Sequence, residues 1–334
     1  MFERLRWLLW NADSRRPRLP WRFLTLVVVL AVLGLAVTLA LTPLEGRLFV
    51  PPGAAGWRDQ AVVAIGGLLA IGAQGGVIVA AVLLAGRFVD RRRSGDFGFR
   101  LDRAWWLDLG VGLAIGAVLM AGIFVVELAA GWVRVVDLFH VGREGFAFWP
   151  WVGVSLLTYT FVGLYEELLL RGYLLTNLAE GLTWFDRVSA WWAVGVAVAG
   201  TSLLFGAMHL GNPNATLASS TGIALAAVML AAGYVLTGEL AIPIGIHIAW
   251  NFVQGTVFGF PVSGTSHGVS LIVIEQQGPA LITGGAFGPE AGLIGVLSSL
   301  VGIGLVAAWV RRRAGRLRIH PAVTTPELRT GGAE

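Results

Sequence analysis

Residues 188–238 contain no Asp, Glu, Lys or Arg and read VSAWWAVGVAVAGTSLLFGAMHLGNPNATLASSTGIALAAVMLAAGYVLTG. A transmembrane helix needs about 20 apolar residues, so this stretch is too long for one crossing. It is interrupted at 211–214 by Gly-Asn-Pro-Asn, which is a strong turn signal. The stretch therefore predicts two membrane-spanning helices joined by a turn.

Further apolar runs lie on both sides of this pair. They cover residues 23–42, 61–86, 109–131, 148 to beyond 166, 240–261 and 291–310. The 334 residues are 56% hydrophobic and 13% charged, with a mean hydropathy of +0.75. A soluble domain carries about 25% charged residues, a disordered chain is far less apolar, and a membrane β-barrel alternates in shorter segments. We therefore expect an all-α, polytopic membrane helical bundle of about eight transmembrane helices.

Basic residues cluster at the ends of these runs, and all of them are arginine. Eight crossings place three clusters on one face: Arg4, Arg6, Arg15, Arg16, Arg18 and Arg22; Arg91, Arg92, Arg93, Arg100 and Arg103; Arg311, Arg312, Arg313, Arg316 and Arg318. The opposite loops hold only Arg47, Arg58, Arg134 and Arg143. By the positive-inside rule both termini are cytoplasmic. The net charge of +4 then reflects topology and contact with anionic lipid, and we expect no nucleic-acid partner.

The chain divides into five predicted segments. Residues 1–20 form an Arg-rich cytoplasmic segment and 21–145 three transmembrane helices. Residues 146–260 form a core of four helices, 261–310 a loop with the final transmembrane helix, and 311–334 a basic cytoplasmic tail. We expect the loop at 261–289 to be partly re-entrant and the tail beyond His320 to be disordered.

The absence of cysteine excludes disulfides, thiolate metal sites and cysteine nucleophiles. The all-arginine composition is typical of a bacterium of high GC content, and we expect a multi-pass protein of its cytoplasmic membrane.

Ionisable residues inside apolar runs indicate function because they are costly in the bilayer. The fourth run contains Glu166 and Glu167, which point about 100° apart on a helix. Glu167 and Arg171 are spaced i,i+4 with the acid first, which favours an ion pair. Glu166 has no local partner and suits a general base that accepts a proton from water. Glu127 and Glu290 are weaker candidates; the second is expected at a helix N-terminus, where an acid is favourable.

Two histidines lie at run edges or within runs. His209 closes the fifth run, and His247 lies early in the seventh with Asn251 one helical turn later. Together with Glu166 these side chains can activate water and stabilise an oxyanion. Glu166, His209 and His247 are also possible zinc ligands, since imidazole and carboxylate both suit that metal.

The same residues resemble the motifs of the CPBP intramembrane proteases, a group that includes the type II CAAX prenyl endopeptidases and Abi-type immunity proteins. The three motifs are Glu-Glu-x-x-x-Arg at 166–171, Phe-x-x-x-His at 205–209 and His-x-x-x-Asn at 247–251. The resemblance covers roughly residues 151–260.

The resemblance implies hydrolysis of a peptide bond in a membrane-associated peptide or protein. By that likeness Glu166 activates the water and His209 places it. His247 and Asn251 bind the tetrahedral oxyanion, and Glu167 and Arg171 support the site. The motifs leave open whether the cofactor is a divalent metal such as zinc or none. Metal-free chemistry is favoured because asparagine is a poor zinc ligand and no clear second acid lies near the histidines. Whether the substrate is prenylated also stays open.

Two alternatives remain at this point, and one conflict. The polar residues could instead relay protons in a transporter, or the chain could be a non-enzymatic immunity or scaffold protein. The conflict concerns depth: Glu166 and His247 fall near the cytoplasmic third of the membrane, whereas a straight fifth helix carries His209 to the far side. The site requires His209 to come close to Glu166.

Overall fold

The computed structural model of the chain describes residues 9–12, 14–43, 56–142, 145–184, 187–266 and 268–329. The arginines predicted to set the topology at Arg4, Arg6, Arg47 and Arg143 lie outside these residues. The helices are α1 (Leu19–Leu41), α2 (Trp57–Leu84), α3 (Arg103–Ala129), α4 (Phe148–Glu167), α5 (Thr176–Thr183), α6 (Ala190–Met208), α7 (Leu217–Thr237), α8 (Ala241–Phe252), α9 (Ala280–Thr283) and α10 (Leu293–Ala314). The strands are β1 (Trp10–Asn11), β2 (Arg16–Pro17), β3 (Val133–Val141) and β4 (Val269–Gln276). Wider π-helical turns follow α2 (Ala85–Val89), α4 (Leu168–Leu175) and α8 (Val253–Val257), and 3₁₀ turns lie at Ser94–Phe97, Gly285–Phe287, Pro289–Ala291 and Pro321–Val323.

Seven helices of the described residues are long and apolar enough to cross a membrane, which makes the chain a polytopic helical bundle as predicted. The predicted crossing at 240–261 is different. It forms α8 and its π-helical turn, too short to count among the seven. Residues 241–250 are all buried, and α3, α4 and α7 pack around them. This run is apolar because protein rather than lipid surrounds it.

The helix that carries the paired glutamates is longer than the apolar run suggested. The π-helical turn at Leu168–Leu175 joins α4 to α5, so that one span extends from Phe148 to Thr183. Wider turns of this kind occur frequently at functional sites. Here the turn buries every residue from 168 to 173, including Arg171.

Close packing of α3 against α8 fixes the centre of the bundle. Gly112 and Gly116 on α3 lie directly against the backbone of α8, where a Cβ would overlap the carbonyl oxygens of Ile242 and Ile246. Gly245 on α8 makes the matching approach to α3. Small residues at such contacts let membrane helices approach each other closely. The contact holds α8 rigidly at the centre.

One end of the bundle carries a two-stranded antiparallel sheet that the all-α prediction did not include. β3 follows α3 and pairs with β4, with an irregularity in register between Val135 and Asp137. The loop after α8 then folds back onto the bundle. Gly222 on α7 lies directly against the carbonyl oxygen of Glu290. The predicted long loop is thus packed structure over much of its length.

The opposite end holds a buried network of charged side chains. Arg16, Arg22 and Arg92 all contact the carboxylate of Glu180, and Arg92 also pairs with Asp96. Arg16 lies in β2, Arg22 in α1 and Glu180 in α5, whereas Arg92 and Asp96 lie between α2 and α3. The described N-terminal segment therefore lies at the same end as the first internal arginine cluster.

The C-terminal tail reaches this end as well. The backbone N–H of Glu327 donates to Asp96 at 3.0 Å, and that of Arg329 donates to the carbonyl of Arg91 at 2.8 Å. The expectation of disorder beyond His320 is wrong as far as residue 329, because backbone hydrogen bonds tie this stretch to the turn after α2. Both described terminal segments thus lie at one end of the bundle.

Candidate active site

A cavity of about 160 Å³ lies between α4, α6, α7 and α8. It is lined by Tyr159, Val162, Glu166, Phe205, His209, Ile223, Ala226, Met229, Leu230, Ile246, His247, Trp250, Asn251, Val262, Ser263, Thr265 and Glu290. The four side chains that the sequence indicated as catalytic, Glu166, His209, His247 and Asn251, all belong to this lining. Residues far apart in the chain therefore meet around one small polar space.

The two adjacent glutamates lie against the two ring nitrogens of His247. His247 Nδ1–H donates to Glu167 Oε1 at 2.8 Å, while His247 Nε2 lies 3.6 Å from Glu166 Oε2. The second distance is longer than a hydrogen bond. Because Nδ1 is already committed to Glu167, Nε2 is the nitrogen that faces the cavity. The link from Glu167 to His247 was not foreseen from the sequence.

Glu167 also forms the ion pair that its spacing predicted. Arg171 Nη1 donates to Glu167 Oε1 at 2.8 Å, and Arg171 Nη2 donates to the carbonyl of Ala227 on α7 at 2.9 Å. Glu167 and Arg171 are both fully buried, with exposures of 0% and 1%. A buried pair is strongly destabilised when one partner is removed. The pair therefore holds α4, α7 and α8 together and fixes the orientation of His247.

His209 ends α6, and its ring is fixed on one side. Its Nδ1 lies 2.7 Å from the carbonyl oxygen of Phe205, which can only accept, so Nδ1 carries the proton. The Phe205 ring meets His209 edge-on at 4.7 Å between centroids and His247 at 6.1 Å. Phe205 thus packs between the two imidazoles and leaves Nε2 of His209 for other contacts.

The predicted conflict in depth is resolved by the length of the α4–α5 span. At 1.5 Å per residue, Glu166 lies about 25 Å from Thr183, and His209 lies about 28 Å from Ala190. Thr183 and Ala190 flank one short connection, so both side chains lie equally deep when they are measured from the same end. His247 lies at this level too, because its Nδ1–H donates to Glu167, the neighbour of Glu166, at 2.8 Å.

The possible metal ligands do not form a metal-binding cluster. Across the described ranges, no three His, Asp, Glu or Cys side chains are arranged to hold one ion, and this includes Glu166, His209 and His247. Structural and catalytic zinc sites need at least three protein ligands at about 2 Å from the metal. The residues as arranged do not fit a bound zinc ion.

The sequence did not indicate the importance of three polar residues in the cavity region, Glu290, Gln254 and Ser263. Glu290 lines the cavity and accepts hydrogen bonds from Gln254 Nε2, at 2.5 Å, and from the backbone N–H of Ser263. It was interpreted only as an acid at a helix start. A signal was present in the spacing, because Gln254 continues the helical stripe of His247 and Asn251.

Residues 148–253 match the family model of the Rce1-like type II CAAX prenyl endopeptidases. The match supports the resemblance of this stretch to the CPBP intramembrane proteases. The match begins at the first residue of α4 and ends two residues after Asn251, so it contains every motif residue. The family and the seven spanning helices make the chain a multi-pass membrane protein and indicate an intramembrane protease. No curated protein and no solved structure matches the chain.

Proposed function

We propose that the chain hydrolyses a peptide bond of a membrane-associated substrate, with Glu166 as the general base. The observation that carries the proposal is the convergence of Glu166, His209, His247 and Asn251 on one cavity. A single ionisable group in a spanning helix does not by itself define a hydrolytic site. A carboxylate, two imidazoles and an amide around a space that holds a few water molecules supply the parts of a hydrolytic site.

The first step of the proposed reaction is activation of water. A water molecule in the cavity donates one hydrogen bond to Glu166 and a second to Nε2 of His209. Glu166 takes the proton as the water oxygen attacks the carbonyl carbon of the scissile bond. A positioned general base of this kind contributes about 10²- to 10⁴-fold to the rate.

The second step is stabilisation of the negative charge that develops on the carbonyl oxygen. The donors in our proposal are the side-chain amide of Asn251 and the imidazolium form of His247, in which Nδ1–H donates to Glu167 and Nε2–H donates to the oxyanion. The 3.6 Å separation between His247 Nε2 and Glu166 leaves this N–H available. The C–N bond then breaks, and Glu166 returns its proton to the leaving amine. Each oxyanion donor is worth about 10²- to 10³-fold in kcat.

We infer a metal-free reaction from the donor set. Asn251 is a poor zinc ligand, Nδ1 of each cavity histidine is bound to another residue, and the remaining donors are not arranged as a metal cluster. A metal would activate the water by lowering its pKa. In the proposed reaction Glu166 activates the water instead, by accepting its proton.

Substrate access is proposed from the membrane, between α4 and α6. In the described part of the chain, α6 packs on the 168–175 turn and on α5 but has few contacts with α4. Phe161 on α4 and Leu203 and Leu204 on α6 are exposed apolar side chains. Helices that make few contacts with each other could separate to admit a peptide that is already held in the bilayer.

We also propose that both termini face the cytoplasm, because the described terminal segments and the arginine clusters lie at one end of the bundle. The chain has no native cysteine, so single cysteines report position without background. Cysteine at Arg316 should resist a membrane-impermeant maleimide in intact cells, and cysteine at Gln277 should react. The reverse pattern would invert the orientation.

The test of the function compares membrane proteomes of cells that carry the wild type or Glu166→Gln. The glutamine keeps the size and hydrogen bonding of the side chain but cannot act as a base. We expect at least one peptide fragment to disappear in Glu166→Gln, while the variant itself accumulates normally. The control Glu239→Gln, at the other end of the bundle, should leave that fragment unchanged. Unaltered fragments would contradict the proposal. Unaltered biological activity would favour a scaffold or immunity role, and loss of proton-coupled flux a transporter.

A further inference from the structure

Glu290 is a buried acid in the wall of the cavity that the proposed reaction does not use. Its exposed fraction is 6%, and it precedes α10, outside the 148–253 family match. It shares the cavity with Glu166 and the two histidines. Its position therefore calls for an explanation separate from the CPBP motifs.

The contacts of Glu290 fix its carboxylate but do not neutralise it. Oε2 accepts from the side-chain amide of Gln254 at 2.5 Å, and Oε1 accepts from the backbone N–H of Ser263 and, at 3.4 Å, from its hydroxyl. All of these donors are uncharged. Each carboxylate oxygen can accept more than one hydrogen bond, so accepting capacity remains.

In the part of the chain that the structure describes, no cation balances this charge. Among the residues that the structure describes, neither an arginine nor a histidine forms an ion pair with Glu290. The side-chain oxygen of Gln254 is also buried and has no hydrogen-bond partner in the described residues. Buried carboxylates are costly unless they are paired. The missing positive charge is best supplied by whatever occupies the cavity.

We propose that Glu290 determines substrate specificity by binding a basic group of the substrate, the guanidinium of an arginine or the ammonium of a lysine. The inference rests on the proposed function, since the basic group belongs to the peptide that is cleaved. Gln254, which holds Glu290, lies about 10 Å along α8 from His247. An extended peptide advances about 3.3 Å per residue, so the basic residue lies about two to four positions from the cleaved bond.

The experiment uses the full-length protein in lipid nanodiscs and a library of lipid-anchored peptides with randomised sequence. Cleavage sites are read by mass spectrometry for the wild type, Glu290→Gln, Glu290→Asp and the control Glu239→Gln. Glu239 is a matched control because it is also a buried acid, 9% exposed against 6% for Glu290, and it does not line the cavity. Folding of each variant is checked by its melting temperature and by elution as a single species.

We expect wild type and Glu239→Gln to enrich Arg and Lys at one position two to four residues from the cut. Glu290→Gln should lose this enrichment and cleave basic peptides about tenfold to a hundredfold less, because one charge-assisted contact is lost. Its cleavage of peptides without a basic residue should change little. Glu290→Asp should keep the enrichment in weakened form, which preserves the test if the glutamine variant is unstable.

The outcomes separate this inference from the function on which it rests. Cleavage without basic enrichment, or enrichment that survives in Glu290→Gln, overturns the specificity role and leaves the protease intact. Equal loss of cleavage for basic and neutral peptides in Glu290→Gln shows that Glu290 only anchors the loop segment around Ser263. Absence of any cleavage by the wild type, or full cleavage by Glu166→Gln, overturns the proposed function itself.

Discussion

The arginine-rich end of the bundle and the cavity both bury several charged side chains, but they balance those charges differently. At the arginine-rich end, Arg16, Arg22 and Arg92 share Glu180, and Arg92 adds Asp96. Asn177 completes this network by accepting from Arg22 at 2.6 Å and donating to Asp90 at 3.1 Å. Positive and negative groups are matched within the protein.

At the cavity the acids outnumber the cations. Glu166, Glu167 and Glu290 lie in or beside it, and within the described residues Arg171 is the arginine that pairs with any of them. The balanced charges at the arginine-rich end hold structural elements together. The unbalanced charges at the cavity remain able to interact with water and substrate. Perturbed, incompletely paired groups in a cleft are typical of functional sites. The comparison predicts opposite results for mutations in the two places.

The largest expected difference comes from one conservative exchange at each site. Glu166→Gln should lower cleavage about 10²- to 10⁴-fold with little change in melting temperature. Glu180→Gln should leave cleavage per folded molecule within a few-fold of wild type but destabilise the protein by about 3–5 kcal/mol, because it leaves buried arginines without their acid. Cleavage rates and thermal unfolding in nanodiscs measure both. Destabilisation by Glu166→Gln with normal activity would reverse the assignment of the two regions.

The next effect concerns the oxyanion donors. Asn251→Ala should lower kcat about 10²- to 10³-fold with little change in KM, because the amide acts only when charge develops on the carbonyl oxygen. Gln277→Ala, directly after β4, serves as an amide-removal control. An increase in KM at constant kcat would instead make Asn251 a ground-state binding residue.

A smaller effect follows from the pH dependence of Glu290. Burial raises the pKa of Glu290 to about 7, above its ordinary value of 4.5. Its carboxylate is therefore ionised above pH 7 and largely protonated below it, so the preference for basic peptides should rise several-fold between pH 6 and pH 8. Tyr159, Glu166, His209 and His247 also face the cavity, so the comparison is made against Glu290→Gln, whose preference should not vary over this range.

The same pKa predicts the sign of a stability effect. Because the folded state holds the proton more tightly than the unfolded state, the contribution of Glu290 is fully present below about pH 4.5 and is lost as pH rises through about 7. The free energy of unfolding of Glu290→Gln should therefore lack this part of the pH dependence that the wild type shows. A slope of opposite sign would mean that a cation within the protein pairs with the carboxylate.

The smallest expected effect is that of metal removal. A chelator such as EDTA should change the cleavage rate by less than about twofold, because the proposed water is activated by Glu166 alone. Inactivation by EDTA that added zinc reverses would contradict the metal-free reaction.

The spacing of residues along single helices was enough to predict much of this site. The i,i+4 pairs Glu167–Arg171 and His247–Asn251 depend only on helical periodicity, and the ion pair is present as expected. The contact between Glu167 and His247 joins two distant helices, so no local pattern encodes it. Glu290 is similar, because its place in the cavity depends on how the 261–291 loop folds back.

The prediction of helices from apolar runs succeeded in general and failed in two particular places. α8 is apolar like a spanning helix, yet it is short and enclosed by α3, α4 and α7. Burial in protein and burial in lipid select the same side chains, so composition cannot separate them. The continuation of α4 to Thr183 crosses charged and polar residues that a charge-free criterion treats as an end.

The proposed reaction requires the acid of α4 and the imidazole of α8 to meet inside the bundle, and a crosslinking experiment measures whether they do. Glu166→Cys and His247→Cys are combined in the cysteine-free chain, with a protease site inserted in the connection at 184–189. After treatment of membranes with a thiol crosslinker about 8 Å long, the two fragments should stay joined following proteolysis. The control pair Leu157→Cys and His247→Cys should separate, because Leu157 is exposed on α4. Separation of the Glu166–His247 pair, or joining of both pairs equally, would show that these two side chains do not meet specifically in the bundle.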